Sequence, residues 1–340
     1  MSNYDVETRG GRAAKTTLLG ILALAILIAT SLGSLFIGIR YISLDDITLS
    51  FTNYDPNSIG QMIVQTLRLP RMIAGIVVGI SFAVSGALMQ GVTNNPMASP
   101  SILGINAGAS FGLAVGMILF PYLTLNGSIL FSFGGAALAT LFILALAKRV
   151  GGKATPVYLA LAGTAISAVF VAVTHMLVVY FQVAQELSFW TAGGISGIRM
   201  ERVLLVLPWT LIGILIAMYV SKSVTLLSFG EEVAIGLGSN LNRVRVLSGL
   251  TVLILSGSAV ALAGPIGFVG LVIPHITRKL VGIDYRLVIP FSALFGAVLV
   301  MIADVVARIV NPPFETPLGA ITALVGVPFF IYLANRKGGK

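Results

Sequence analysis

Ten long apolar stretches run through this 340-residue chain, and its charges sit almost entirely between them. A hydrocarbon core about 30 Å thick needs roughly 20 apolar residues per helical crossing. Within lipid only helices and closed barrels satisfy their own backbone polar groups. The apolar runs here are continuous rather than alternating, so the reading is helical and not a barrel. The expected fold is all-α, a polytopic membrane protein with about ten transmembrane helices. The expected spans are 16–39, 70–91, 98–120, 127–147, 157–183, 203–221, 246–263, 267–281, 287–307 and 318–334. The eighth is short: either Gly264 to Gly267 help it across, or it does not cross cleanly.

Composition supports one membrane domain over residues 1–340. The chain is 57% hydrophobic and 10% charged, against about 25% charged in a soluble domain. No hydrophilic interval is long enough to fold separately; the longest runs from Arg40 to about Leu69. The absence of cysteine excludes disulfides, thiolate metal sites and cysteine nucleophiles. A net charge of +9 raises nucleic acid as a partner, but no basic soluble face exists to carry it, so none is expected. The first span follows Arg9, Arg12 and Lys15 as a signal peptide would. Its apolar run exceeds the usual h-region and no small-x-small cleavage site follows, so it reads as a retained helix.

Basic residues orient the spans. With the N-terminus inside, the inner segments hold 15 lysines and arginines and the outer segments six, and every lysine is inside. Both termini are therefore expected in the cytoplasm, as a tail over 1–15 and a tail over 335–340. The six outer charges are all arginine: Arg40, Arg68, Arg71, Arg199, Arg202 and Arg308. Arginine suits bidentate carboxylate contacts; interfacial snorkelling is the plainer alternative. Gly104, Gly108, Gly112 and Gly116 recur every four residues, as do Gly75 and Gly79, which predicts close helix packing and no chemistry. At an offset of 178, Gly86, Pro96, Gly104 and Ile105 match Gly264, Pro274, Gly282 and Ile283, a weak hint of an internal repeat.

Catalytic chemistry is sparse. Gly152-Lys153 lacks the rest of a phosphate loop, and Gly236-Leu-Gly238 is half of a dinucleotide fingerprint. His175 and His275 lie 100 residues apart, and His175 reads as a core histidine. The expectation is a non-catalytic chain with no metal site and no cofactor of its own. Ion-coupled carriers usually bury carboxylates in their spans; the clearest here, Asp304, stands four residues before Arg308 and reads as its local salt-bridge partner. A passage powered by another subunit therefore fits better than a secondary carrier. Such a subunit would bind the inner interval 222–245, where Glu231 to Leu237 could form a short helix stopped by Gly238 and Asn240 to Arg245 could start another.

The chain resembles the FecCD-type permeases of ABC importers, which take up ferric siderophores, haem and vitamin B12. The resemblance covers about residues 60 to 334. It rests on Leu67 to Arg71 (Leu-Arg-Leu-Pro-Arg), Ser85 to Gln90, Asn95 to Pro100 and Leu103 to Gly108. It continues through Gly264 to His275, Ala303 to Arg308, Pro317 to Gly319 and Gly326 to Phe330. The resemblance implies a type II importer permease in a bacterial plasma membrane. A second permease, identical or related, two ATP-binding cassette subunits carrying ATP-Mg and an extracytoplasmic binding protein would complete it. It implies outward-looking docking arginines at Arg68, Arg71 and Arg308. It implies an ATPase coupling segment with Gly230, Glu231, Glu232, Gly236 and Gly238, and an inner gate at Asn95, Pro96 and Met97. Family members often carry leucine at the position of Met97. The implied substrate is a ferric siderophore; haem, cobalamin and an ion-driven mechanism are the alternatives.

Overall fold

The computed structural model describes residues 9–38, 40–149, 156–312 and 314–337. Among them every regular element is a helix. The long ones are Arg9–Phe36, Leu69–Val92, Leu125–Arg149, Pro156–Phe181, Met200–Ser228, Leu241–Ala263, Tyr285–Ile309 and Leu318–Lys337. Ile105–Leu119 and Val269–Val281 are shorter. Seven described helices are long and apolar enough to cross a membrane. Each of the ten expected stretches coincides with a helix. The ends moved: the first helix begins at Arg9, inside the expected tail, and the last reaches Lys337. Residues 1–8 and 338–340 of the expected tails, and Lys153, lie outside the described residues.

The interval from Arg40 to Leu69 is not a plain connector. Ser43 caps helix Leu44–Thr52: its hydroxyl accepts from the Asp46 amide at 3.0 Å while the Asp46 carboxylate accepts from the Ser43 amide at 3.2 Å. A further helix starts at Ile59 and runs continuously to Val92 through a π-helical turn over Val64–Arg68. Pro70 supplies no N–H, so the regular ladder cannot pass through it unchanged, and the wider turn precedes it.

Helix 69–92 is the centre of the bundle, with 78% of its apolar window buried. It packs against helices 200–228, 241–263, 269–281 and 285–309. Small residues permit this: a Cβ on Gly79 would sit 2.4 Å from the Gly296 carbonyl oxygen, and one on Gly86 would sit 1.8 Å from that of Gly270. Gly108 and Gly112 press helix 105–119 onto helix 125–149 in the same way, at Gly135 and Phe131. Backbone approach of this kind supplies the dispersion contacts that hold helices together in lipid.

The short eighth span is explained by a break. Helix 241–263 stops at Gly264 (φ 71°), five residues run without helix, and Phe268 (φ 67°) starts helix 269–281. Thirteen residues rise only about 20 Å, so this helix begins within the bundle. Non-helical backbone at such depth persists only where protein or a cavity surrounds it. Gly264 lies against the Trp190 carbonyl, and Phe268 against Gly326.

One expectation fails here, and the weak hint of a repeat gains no support. His175 is exposed on helix 156–181, whose apolar window is only 6% buried, so it is not a core histidine of this chain. The offset of 178 pairs unlike environments: Gly86 is mid-helix and Gly264 ends one, while Pro96 lies in a turn and Pro274 inside a helix. Of the four matched pairs only Gly104 and Gly282 share a positive φ.

Candidate functional site

Polar chemistry concentrates at the two ends of the bundle. One end gathers the arginines. Asp304, 1% exposed, accepts from Arg71 Nε at 2.8 Å and Nη2 at 2.8 Å on one oxygen, and from Arg308 Nη2 on the other. The expected pairing of Asp304 with Arg308 is present, and Arg71 joins it from 233 residues away. Arg71 also donates to Glu315 at 2.6 Å. Burial alone would raise the pKa of Glu315. Hydrogen bonds from Arg71 and Ser196, with the charges of Arg71 and Arg308, outweigh it and hold the carboxylate below its ordinary range.

Arg68 and Arg308 have a second task. Arg68 donates to the Leu35 carbonyl and, at 2.5 Å, to that of Arg40. Arg308 Nη1 donates to the Ser34 and Ile37 carbonyls at 2.9 and 3.0 Å. The last carbonyls of a helix lack intrahelical partners and carry partial negative charge; two guanidiniums here cap the first helix. The three arginines were expected to look outward. Instead their side chains are inside: Arg68 and Arg308 are about 6% exposed and Arg71 11%. Four carboxylate contacts and four carbonyls draw them in. Arg40 and Arg199 are the exposed arginines at this end.

Beside this network lies a cavity of about 920 Å³. Arg71, Asp304 and Glu315 line one side, Arg202 and Ser128 another, and Phe181, Trp190, Leu113 and Met117 give it apolar walls. The last turn of helix 241–263, just before the break, reaches it through Leu262 and Ala263.

The opposite end holds the other two expected sites. Helix 200–228 ends at Ser228, Gly230 takes φ 117°, and helix Glu231–Gly236 follows. Gly238 (φ 79°) turns the chain, and the Asn240 side chain accepts from the Arg243 amide at 3.0 Å to cap helix 241–263. The helix–turn–helix expected between 222 and 245 is therefore present. Gly236 is helical with open space at its Cβ position, so the backbone does not demand glycine there. Phe229, Val233, Ile235 and Leu237 are 45–63% exposed, an apolar patch rimmed by Glu232 and the Glu231–Arg245 ion pair. The Asn95-Pro96-Met97 turn is also present: the Met97 amide donates to Asn95 Oδ1 at 2.9 Å and the Ala98 amide to the Asn95 carbonyl at 3.1 Å.

A polar link between these two segments was not anticipated. Buried Gln90 donates to the Gly270 and Leu271 carbonyls, each at 3.2 Å, and accepts from Arg278 Nη2 at 2.5 Å. Arg278 also lies against the Tyr285 side chain. The Tyr285 amide donates to Thr225 Oγ1 at 2.8 Å, one turn before the apolar patch. Gln90 stands in the quoted Ser85–Gln90 stretch, but its partner 188 residues away left no local signal. Among the described residues no three His, Asp or Glu side chains cluster as metal ligands.

A helical bundle with a broken span, a cavity at one end and an exposed apolar turn at the other defines a membrane transport protein. The chain matches the FecCD transport family over residues 23–336 and belongs to it. It is 46% identical over 304 residues to the iron(3+)-hydroxamate import system permease protein FhuB of Bacillus subtilis, covering 89% of this chain and 79% of that one. It is 44% identical over 327 residues to the Fe(3+)-citrate import system permease protein YfmD of the same organism, covering 96% and 97%. A solved chain, from a transporter assigned to the metal-chelate ABC type and captured inward-facing, superposes with TM-score 0.81 at 28% identity. That match covers 93% of this chain and 98% of the other.

Proposed function

We propose that this ABC permease moves a ferric siderophore inward across the cytoplasmic membrane, driven by ATP-Mg hydrolysed on partner subunits. The observation that carries the reading is the pairing of two unlike ends in one bundle. The cavity and buried arginines serve substrate delivery, and the exposed Phe229–Leu237 turn serves a soluble motor. Similarity to hydroxamate and citrate permeases supports the substrate class. The chain itself contributes no catalysis and no cofactor.

In this reading both termini and the turn at 229–240 face the cytoplasm, where lysine concentrates. Glu231 to Gly236 seats in a groove of the ATPase, with Gly230 and Gly238 as the flexible joints and Glu232 at the rim. An exposed apolar patch with a charged rim suits such an interface. Movement of the turn reaches Asn95, Pro96 and Met97, the inner gate, through Thr225, Tyr285, Arg278 and Gln90. A second permease completes the passage, and the mostly unburied helix 156–181 is available to it.

The arginine end meets the binding protein. Arg71 is the least buried of its three docking arginines: a carboxylate of the binding protein would compete with half-exposed Glu315, while Arg68 and Arg308 hold the surface from beneath. Charge pairs of this kind steer and orient more than they tighten. The test is uptake of labelled ferric hydroxamate and ferric citrate in cells lacking this chain. Restoration of either by the intact gene, and not by a version with Val233→Asp and Ile235→Asp, is expected. Accumulation unchanged by loss of the chain would overturn the reading.

A further inference from the structure

Arg202 is the cation of the cavity that the arginine network does not use. Arg71 is balanced there by Asp304 and Glu315. Arg202 has no carboxylate partner among the described residues; its Nη2 donates to Ser128 Oγ at 3.0 Å, and its buried Nε has no partner. It also sits in the first turn of helix 200–228, where a positive charge opposes the helix dipole and no side chain caps the amides. Neither helix stability nor a salt bridge to a described residue accounts for it. A guanidinium at the wall of a cavity, with no carboxylate among the described residues to balance it, suits a planar anion.

We propose that this cavity is a binding station for an anionic ferric chelate bearing free carboxylates, with Arg202 receiving one carboxylate, the Ser128 hydroxyl (which donates to the Leu125 carbonyl at 2.7 Å) holding the guanidinium in place, and Trp190 and Phe181 covering the apolar body. This deepens the permease reading and rests on it. The volume of about 920 Å³ falls within the roughly 300–1,000 Å³ of small-molecule sites. Leu113 and Ala263, both buried, line the cavity and so carry it into the bundle below the surface. An acidic side chain of a docking protein carries the same chemistry, and the test separates the two sources.

Trp190 lines the cavity and the second tryptophan, Trp209, is exposed on helix 200–228, so Trp209→Phe leaves one reporter in the site. Full-length Trp209→Phe protein in nanodiscs is titrated with ferric citrate and, in parallel, with a neutral ferric trihydroxamate. Saturable change in Trp190 emission is expected for ferric citrate. Arg202→Gln should weaken it about ten- to hundredfold, as loss of a charge-assisted hydrogen bond does. Arg202→Lys should restore part of it, and neutral chelate should respond alike with every variant. Citrate binding indifferent to Arg202→Gln, or equal loss for both chelates, overturns the proposal. Co-sedimentation with the binding protein should be unchanged by Arg202→Gln; its loss would assign Arg202 to a protein carboxylate and equally overturn it. Because the titration needs neither ATP nor partner subunits, failure of uptake by the whole complex would count against the permease reading alone.

Discussion

Replacing Asp304 with asparagine keeps its shape and removes its charge. The carboxylate is 1% exposed and receives two contacts from Arg71 and one from Arg308. Breaking a buried ion pair by removing one partner costs about 3–5 kcal/mol, because the other charge stays buried. Here each arginine keeps something: Arg71 retains Glu315, and Arg308 retains the Ser34 and Ile37 carbonyls. The lower end, about 3 kcal/mol, is therefore expected. With an unfolding entropy of about 2.1 cal/mol/K per residue, that lowers the midpoint of a chain this size by roughly 4 °C. Scanning fluorimetry in nanodiscs reads it, and hydrogen exchange should show lost protection at Ser34 to Ile37, the carbonyls Arg308 caps. A midpoint shift under about 1 °C, with exchange unchanged at the end of the first helix, would refute the argument.

Three further outcomes follow from other parts of the structure. Gly86→Ala places a Cβ 1.8 Å from the Gly270 carbonyl oxygen and should destabilise the bundle by at least ~1–3 kcal/mol, whereas Gly134→Ala, which meets nothing, should leave the melting midpoint unmoved. Glu315 has a depressed pKa in the folded chain, so its contribution is full above the unfolded value of about 4.3 and fades as pH falls through the folded one; a melting series across acidic pH should show that component in the parent and not in Glu315→Gln. The Glu231–Arg245 pair is exposed on both sides, so Glu231→Ala should change stability by less than about 1 kcal/mol, while Val233→Asp with Ile235→Asp should abolish co-purification of the ATPase without altering the midpoint.

Hydropathy made the helices legible because a lipid-facing or core-facing span must be apolar along its whole length. Glycine spacing likewise foretold the close contacts at Gly79, Gly108 and Gly112. The turn at Gly230 to Asn240 was readable because its signals are local: positive-φ glycines and a capping asparagine. What sequence could not show was side-chain direction at the arginines. Arg68 and Arg71 lie outside the strongest apolar run, so topology placed them at one end together and suggested an outward face. The π-helical turn before Pro70, and partners 28 to 244 residues distant, turn them inward. Arg278 with Gln90 was hidden for the same reason. The break at Gly264 was half visible, as a span too short to cross.

The central claim is a passage powered from outside the chain. Its most direct test is ferric chelate uptake into proteoliposomes holding this permease, its partner permease and the ATPase, with binding protein outside. Uptake should require ATP within, stop with a non-hydrolysable analogue, and persist when a protonophore collapses the gradient. Uptake by this chain alone under a gradient, without ATP, would contradict the account.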